Sequence, residues 1–356
     1  MKRIWYLVYF LVWCCSSSIS GQSNVLFNHL SIFDGLSQAT VNTILQDKND
    51  VIWLGTRDGL NRYDGYEFHT YKYSIRDQNT ISNNSITTVY QDKLGDLWVG
   101  TENGLNRFNR STESFERFFA DADNENTLSD NSIRKIREDA KGNLWIATSE
   151  NGICQVIFDG EKRQRKVKGF KTFKHNKDNS QSILDNSVRT LFLDEIGNFW
   201  IGTDAGLNQL IHNNGDFYFK AITSQDFDFS SMSINTITND RRGNLWLGTW
   251  GQGLLKMSNT KSQRTFEQFL PNSSDNSLKE SYITVLQQDE AGNIWVGNWT
   301  NGLQKIEQDQ RGTVVFTHYQ HDPLNPKSIC HNSIRSIYQD KFGVLWVGTY
   351  GDGISK

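Results

Sequence analysis

Three sets of side chains in this sequence could do chemistry: seven spaced aspartates, seven histidines, and a late group of aromatics. Asp47, Asp92, Asp139, Asp194, Asp240, Asp289 and Asp340 each precede a tryptophan by six positions. A recurring acid could bind a cation or move protons. One acid per repeat, always at the same turn, fits a structural task better: Asx turns, in which the carboxylate accepts from nearby amides. His29, His69, His175, His212, His318, His321 and His331 share no repeat position. The spacing His318-x-x-His321 reads as part of a solvated loop. The chain lacks His-Glu-x-x-His, Gly-x-Ser-x-Gly and a Gly-Lys-Ser/Thr phosphate loop. The expectation is a non-enzyme with no catalytic residue, metal or cofactor; a lyase or hydrolase is the lesser alternative.

The aromatic group points to binding. From the repeated Trp to the next closing Gly there are two hairpin lengths. The longer form occurs in units three, five, six and seven, and the last three carry Thr249-Trp250-Gly251, Asn298-Trp299-Thr300 and Thr349-Tyr350-Gly351. In consecutive units these rings should lie side by side on one rim. Sugars stack their C–H faces on such rings while polar groups fix orientation. Asn298, Asn301, Gln252 and Asp352 are the candidate polar partners. The competing expectation is that the rings pack on adjacent hairpins or on a second propeller in a longer chain; the expected partners are an oligosaccharide, with a second propeller or a dimer partner as the others.

The elements that position these residues follow from the repeat. Trp53, Trp98, Trp145, Trp200, Trp246, Trp295 and Trp346 recur at roughly 45 to 55 residues, a period of repeat architectures. In unit two, strands are predicted from Ile86 to Asp92, Asp96 to Thr101, Gly104 to Phe108 and Phe115 to Phe119. The first carries apolar residues three apart (Ile86 and Val89, like Ile133 and Ile136). In a regular strand that step places them on opposite faces, so both faces should be covered by neighbouring sheets. Gly95, Gly142, Gly197, Gly243, Gly292 and Gly343 share one turn position suited to positive φ, and unit one has Asp50 there. The repeated Trp residues should form a belt of wedges between sheets.

The prediction is an all-β, seven-bladed β-propeller of four-stranded antiparallel blades. The last unit stops after three strands, while the segment Val25 to Leu30 resembles a fourth strand. The N-terminal strand should therefore complete the last blade and leave only short protected edges.

Composition agrees. The chain has 356 residues, 12% aromatic, with 28 Gly and only 3 Pro, as many short strands with Gly turns require. Net charge is −3 and no basic stripe is visible, which argues against nucleic acid. The dense basic run, Glu161 to Lys168, is expected to be a solvated loop. Residues 1–20 read as a signal peptide: Lys2-Arg3, then an apolar core from Ile4 to Cys15 too short for a comfortable membrane span, then a cleavage-like Ser18-Ile19-Ser20. Retention as an N-terminal anchor is the alternative. Cys14 and Cys15 could carry lipid, though bulky Trp13 precedes them. Residues 21–356 form the propeller, in which Cys154 and Cys330 lie on separate blades and should stay free.

Asn84-Ser85-Ile86, the run Asp139 to Trp145 and the run Trp53 to Arg62 resemble the two-component regulator propeller repeat. The Trp-Asp-repeat propellers match less well. The resemblance covers nearly the whole mature chain. It implies the periplasmic sensor region of a hybrid two-component system histidine kinase, which recognises oligosaccharides and controls transcription through signalling domains that this sequence lacks. The alternative is a periplasmic protein-interaction scaffold.

Overall fold

The computed structural model describes residues 25–160, 165–213, 216–224, 227–259 and 264–356. The predicted signal segment and residues 161–164 lie outside the described residues. Seven antiparallel sheets of four strands each follow one another along the chain. Blade 2 is typical, with strands Ile86–Gln91, Leu97–Thr101, Gly104–Asn109 and Ser114–Phe118. Each inner strand touches the next, and the seventh touches the first, so the inner strands enclose a central channel.

The ring closes as the sequence predicts. His29–Leu30 pairs antiparallel with Ile354–Ser355, making the outer strand of blade 7. The Asn28 amide donates to the Lys356 carbonyl and the Lys356 amide to the Asn28 carbonyl, both at 2.8 Å. Phe27 inserts beside Trp295, Leu303 and Ile329 in the core between blades 6 and 7.

Each repeated Trp packs on the following blade. Trp53 lies among Ile81, Ile86 and Val89 of blade 2, and Trp98 among Ile133, Ile136 and Leu144 of blade 3. Trp346 returns to Val41, Ile44 and Leu54 of blade 1. The core is thus seven apolar wedges between sheets.

One local expectation is corrected. Ile86 and Val89 do not face opposite ways; both face blade 1. Every inner strand carries a β-bulge, placed in blade 2 between Ile86 and Thr88. The extra residue turns a step of three into an effective step of two, so both side chains return to one face. The other face is held close by small residues. A Cβ on Gly100 would sit 2.6 Å from Ile133 Cγ2 and 2.7 Å from Thr88 Cγ2, below any real packing distance.

The basic run is also corrected in part. Lys166–Phe173 is the outer strand of blade 3, and Arg165 reaches across to ion-pair with Asp92 of blade 2. Cys154 and Cys330 are free thiols.

Candidate functional site

The repeated aspartates form the frame. In every blade the Asp Oδ2 accepts from the indole Nε1 of its own Trp, at 2.8–3.1 Å. Its Oδ1 accepts turn amides, as from Asn49 and Val51 onto Asp47. The turn itself needs positive φ, which Gly95 (95°) and its counterparts supply, with Asp50 at 68° in blade 1. The Asx turn is legible in the sequence, but the indole partner is not; the constant six-residue spacing is its only trace.

Several of these acids also tie blades together. Arg110 of blade 2 donates to Asp47 at 2.8 Å, and Gln308 of blade 6 to Asp240 at 3.0 Å. Burial pushes the Asp47 carboxyl up, but hydrogen bonds from Trp53 and Arg110 outweigh it and hold the group below the ordinary carboxylate value. Asp240 is held low in the same way by Asn244, Trp246 and Gln308 against its burial. These acids are fully engaged in structure.

The histidines are scattered among outer strands and loops, with His212 on the third strand of blade 4. His175 bonds the Ile183 carbonyl and His321 the Ile329 carbonyl. His318 sits between Gln304 and the Asp275 carbonyl, and burial pushes its imidazole down. The pair is therefore not a solvated loop: His318 lies on the outer strand of blade 6 and His321 in the loop that follows, each with its own partners.

The end of the channel near the second hairpin of each blade is where diversity collects. The hairpin begins with Thr56, Thr101, Thr148, Thr203, Thr249, Asn298 or Thr349, and each Thr hydroxyl donates to the closing Gly carbonyl. The residue immediately after it is Arg57, Glu102, Ser149, Asp204, Trp250, Trp299 or Tyr350. An anchor that is Thr in six blades and Asn in one thus presents six kinds of side chain, with Trp twice, at the channel mouth.

The three aromatics do lie side by side. Trp250 and Trp299 meet edge to face with centroids 5.4 Å apart, and Trp299 and Tyr350 lie 6.1 Å apart at 47°. Trp250 and Tyr350 remain 38% and 39% exposed. Tyr282 extends the row, 5.2 Å from Trp250. Arg335 packs over both Trp299 (4.2 Å) and Tyr350 (4.8 Å), and Arg57 donates to the Tyr350 hydroxyl at 3.1 Å. Burial, then Arg57, pushes the Arg335 guanidinium down.

The four polar candidates separate. Asn298 is fully buried, its amide given to the Gly302 carbonyl and Gln304, so it belongs to the hairpin and not to the mouth surface. Gln252 donates to the Ser231 carbonyl, and Asn301 is held by its amide on Glu280. Asp352 is exposed beside Tyr350. Arg57, Arg335 and Tyr282 are mouth residues that sequence reasoning missed.

Seven stretches match the two component regulator propeller, at residues 35–58, 80–103, 127–150, 182–205, 228–251, 277–300 and 328–351. A protein described as histidine kinase P4 of Formosa agariphila is 42% identical over 236 residues, covering 65% of this chain and 16% of that protein. A crystal structure of the extracellular domain of a hybrid two component system from B. thetaiotaomicron superposes with TM-score 0.75 at 27% identity, over 93% of this chain and 41% of that one. Virginiamycin B lyase from Staphylococcus aureus shares the fold, with TM-score 0.61 at 13% identity over 93% of this chain and 98% of its own. The chain therefore spans well under half the length of the regulators it is similar to.

Proposed function

The chain belongs to the two component regulator propeller family, and from that premise we propose that it is the extracytoplasmic ligand-sensing propeller of a hybrid two-component regulator. Its ligand is an oligosaccharide, and its output is transcription, exerted through the signalling domains of the whole regulator. The observation that carries the ligand class is the row Trp250, Trp299 and Tyr350 at the channel mouth, partly exposed and contiguous. Rings in that arrangement offer faces and edges to pyranose C–H groups, with Asn301, Gln252 and Asp352 at hand for hydroxyls. The likeness to a histidine kinase and to the extracellular domain of a hybrid system supports the sensing role and the compartment. A ring of interlocked blades is stiff, so a signal would leave it as rigid-body or dimer rearrangement.

The test is calorimetric titration of the chain with a panel of neutral and acidic oligosaccharides, repeated on Trp250→Ala with Trp299→Ala. Binding by the parent that falls at least about tenfold in the variant supports the reading. Equal affinity in a folded variant removes it. The same exposed rings favour one rival, a docking surface for a second propeller or a dimer partner. Ring-dependent self-association without sugar binding would establish that rival.

A further inference from the structure

Positive charge gathers in the channel although the chain carries a net charge of −3. The channel, about 970 Å³, is lined by Arg57, Arg134, Lys135, Arg137, Arg189 and Arg335 against Glu102 and Glu138. Of these six cations, among the described residues, only Arg189 has a carboxylate within ion-pair distance, that of Asp204.

Blade 3 supplies three of these cations, of which Lys135 and Arg137 are partly buried. The position of Lys135 is held in other blades by Thr43, Thr88, Thr190 and Thr236, and that of Arg137 by apolar, aromatic or neutral polar residues. Lys135 and Arg137 are two apart on one strand and share a face. The Arg137 guanidinium lies over the Tyr90 ring, 5.2 Å from its centroid. The adjacent acid, Glu138, is already engaged by the Lys93 amide at 2.9 Å and the Tyr90 hydroxyl at 3.4 Å. Burial, then Arg137, pushes the Lys135 ammonium down to about 7, and burial also pushes Arg137 down. Nearer the mouth, Arg335 has a buried Nε with no hydrogen-bond partner. Enclosed cations without counter-charge are costly, and an anion between them removes the cost.

We propose that the channel is an oxyanion site, in which Lys135 and Arg137 hold a sulfate or carboxylate group and Arg335 and Arg57 admit it at the mouth. The oxyanion is either free in solution or carried by an acidic sugar. Only the second source rests on the mouth reading above, since Lys135 and Arg137 belong to blade 3 and the rings to blades 5 to 7.

The experiment is equilibrium dialysis of the chain against radiolabelled sulfate at constant ionic strength, with glucose 6-sulfate and glucose as competitors. One saturable sulfate site is expected, weakened at least about tenfold in Lys135→Met with Arg137→Met. That variant should melt no lower than the parent in chloride. Should it fail to fold, Lys135→Thr, the residue of the sister blades, replaces it. If glucose 6-sulfate competes more strongly than sulfate and the advantage is lost in Trp250→Ala, the anion is sugar-borne. Equal competition in parent and ring variant indicates a free oxyanion and counts against the mouth reading alone. No saturable binding of either anion, or equal binding by parent and a folded cation variant, overturns the site.

Discussion

Replacing Phe27 by Ala tests the latch that closes the ring. Phe27 is 3% exposed, meets Tyr319 edge to face at 6.0 Å, and fills the core around Trp295 and Ile329. Truncating a buried Phe costs about 3–5 kcal/mol. Beyond Phe27 the latch is the short pairing of His29 and Leu30, the Asn28–Lys356 bonds and side-chain contacts of Asn28 and His29 to Lys327 and Ser355, nearly all within blade 7, so the loss should fall first on that blade. Hydrogen exchange read by mass spectrometry resolves this. Amides of Leu345–Thr349 and Ile354–Ser355 should lose protection by about a hundredfold or more, since each 1.4 kcal/mol is tenfold, while those of Leu144–Thr148 in blade 3 change far less. Phe33, 94% exposed on the same segment, is the control, and Phe33→Ala should stay within about 0.5 kcal/mol. Equal loss in blades 3 and 7, or no difference from Phe33→Ala, would refute the idea that this segment locks one blade.

Three further outcomes follow from the packing. Gly202→Ala sets a Cβ 2.7 Å from the Ile234 carbonyl oxygen and should lower stability by about 1–3 kcal/mol in urea unfolding, with Gly202→Val worse. Asn298→Thr removes a buried Oδ1 that has no partner and installs the hydroxyl used by six sister hairpins; it should stabilise by about 1 kcal/mol, and a lower melting temperature would contradict that. Asp47 and Asp240 are held below the ordinary carboxylate value, so their contribution is whole above about pH 4 and is lost as pH falls through the lower folded value. The denaturation midpoint should therefore drop below about pH 4, less steeply in Asp240→Asn, and a flat acid limb in the parent would count against it.

The architecture was legible because its signals are local and repeated: an acid, a turn Gly and a Trp at fixed spacing mark each sheet. The latch was legible because a spare strand at one end matched a missing one at the other. The bulge was not, since a step of three between Ile86 and Val89 has no regular-strand reading that keeps one face; the extra residue shows only in the pairing register. The aromatic row is legible in three consecutive hairpins, but Asn298 is buried and not a surface group. It occupies the buried anchor position that Thr holds elsewhere, a homology visible in the aligned repeats. The channel cations are harder to read: Arg57, Arg189 and Arg335 come from three different blades, and the cluster Arg134, Lys135 and Arg137 sits on a strand whose channel-facing side the sequence alone does not mark. Linear patterning cannot show charge that only a closed ring assembles.

The hairpin at the mouth separates two jobs that most binding sites mix. Its anchoring hydroxyl and closing Gly answer to folding, while the next residue is unconstrained enough to be Arg, Glu, Ser, Asp, Trp or Tyr. Selectivity in such a molecule can drift one wedge at a time, as a combination lock is re-keyed, without the scaffold having to be solved again.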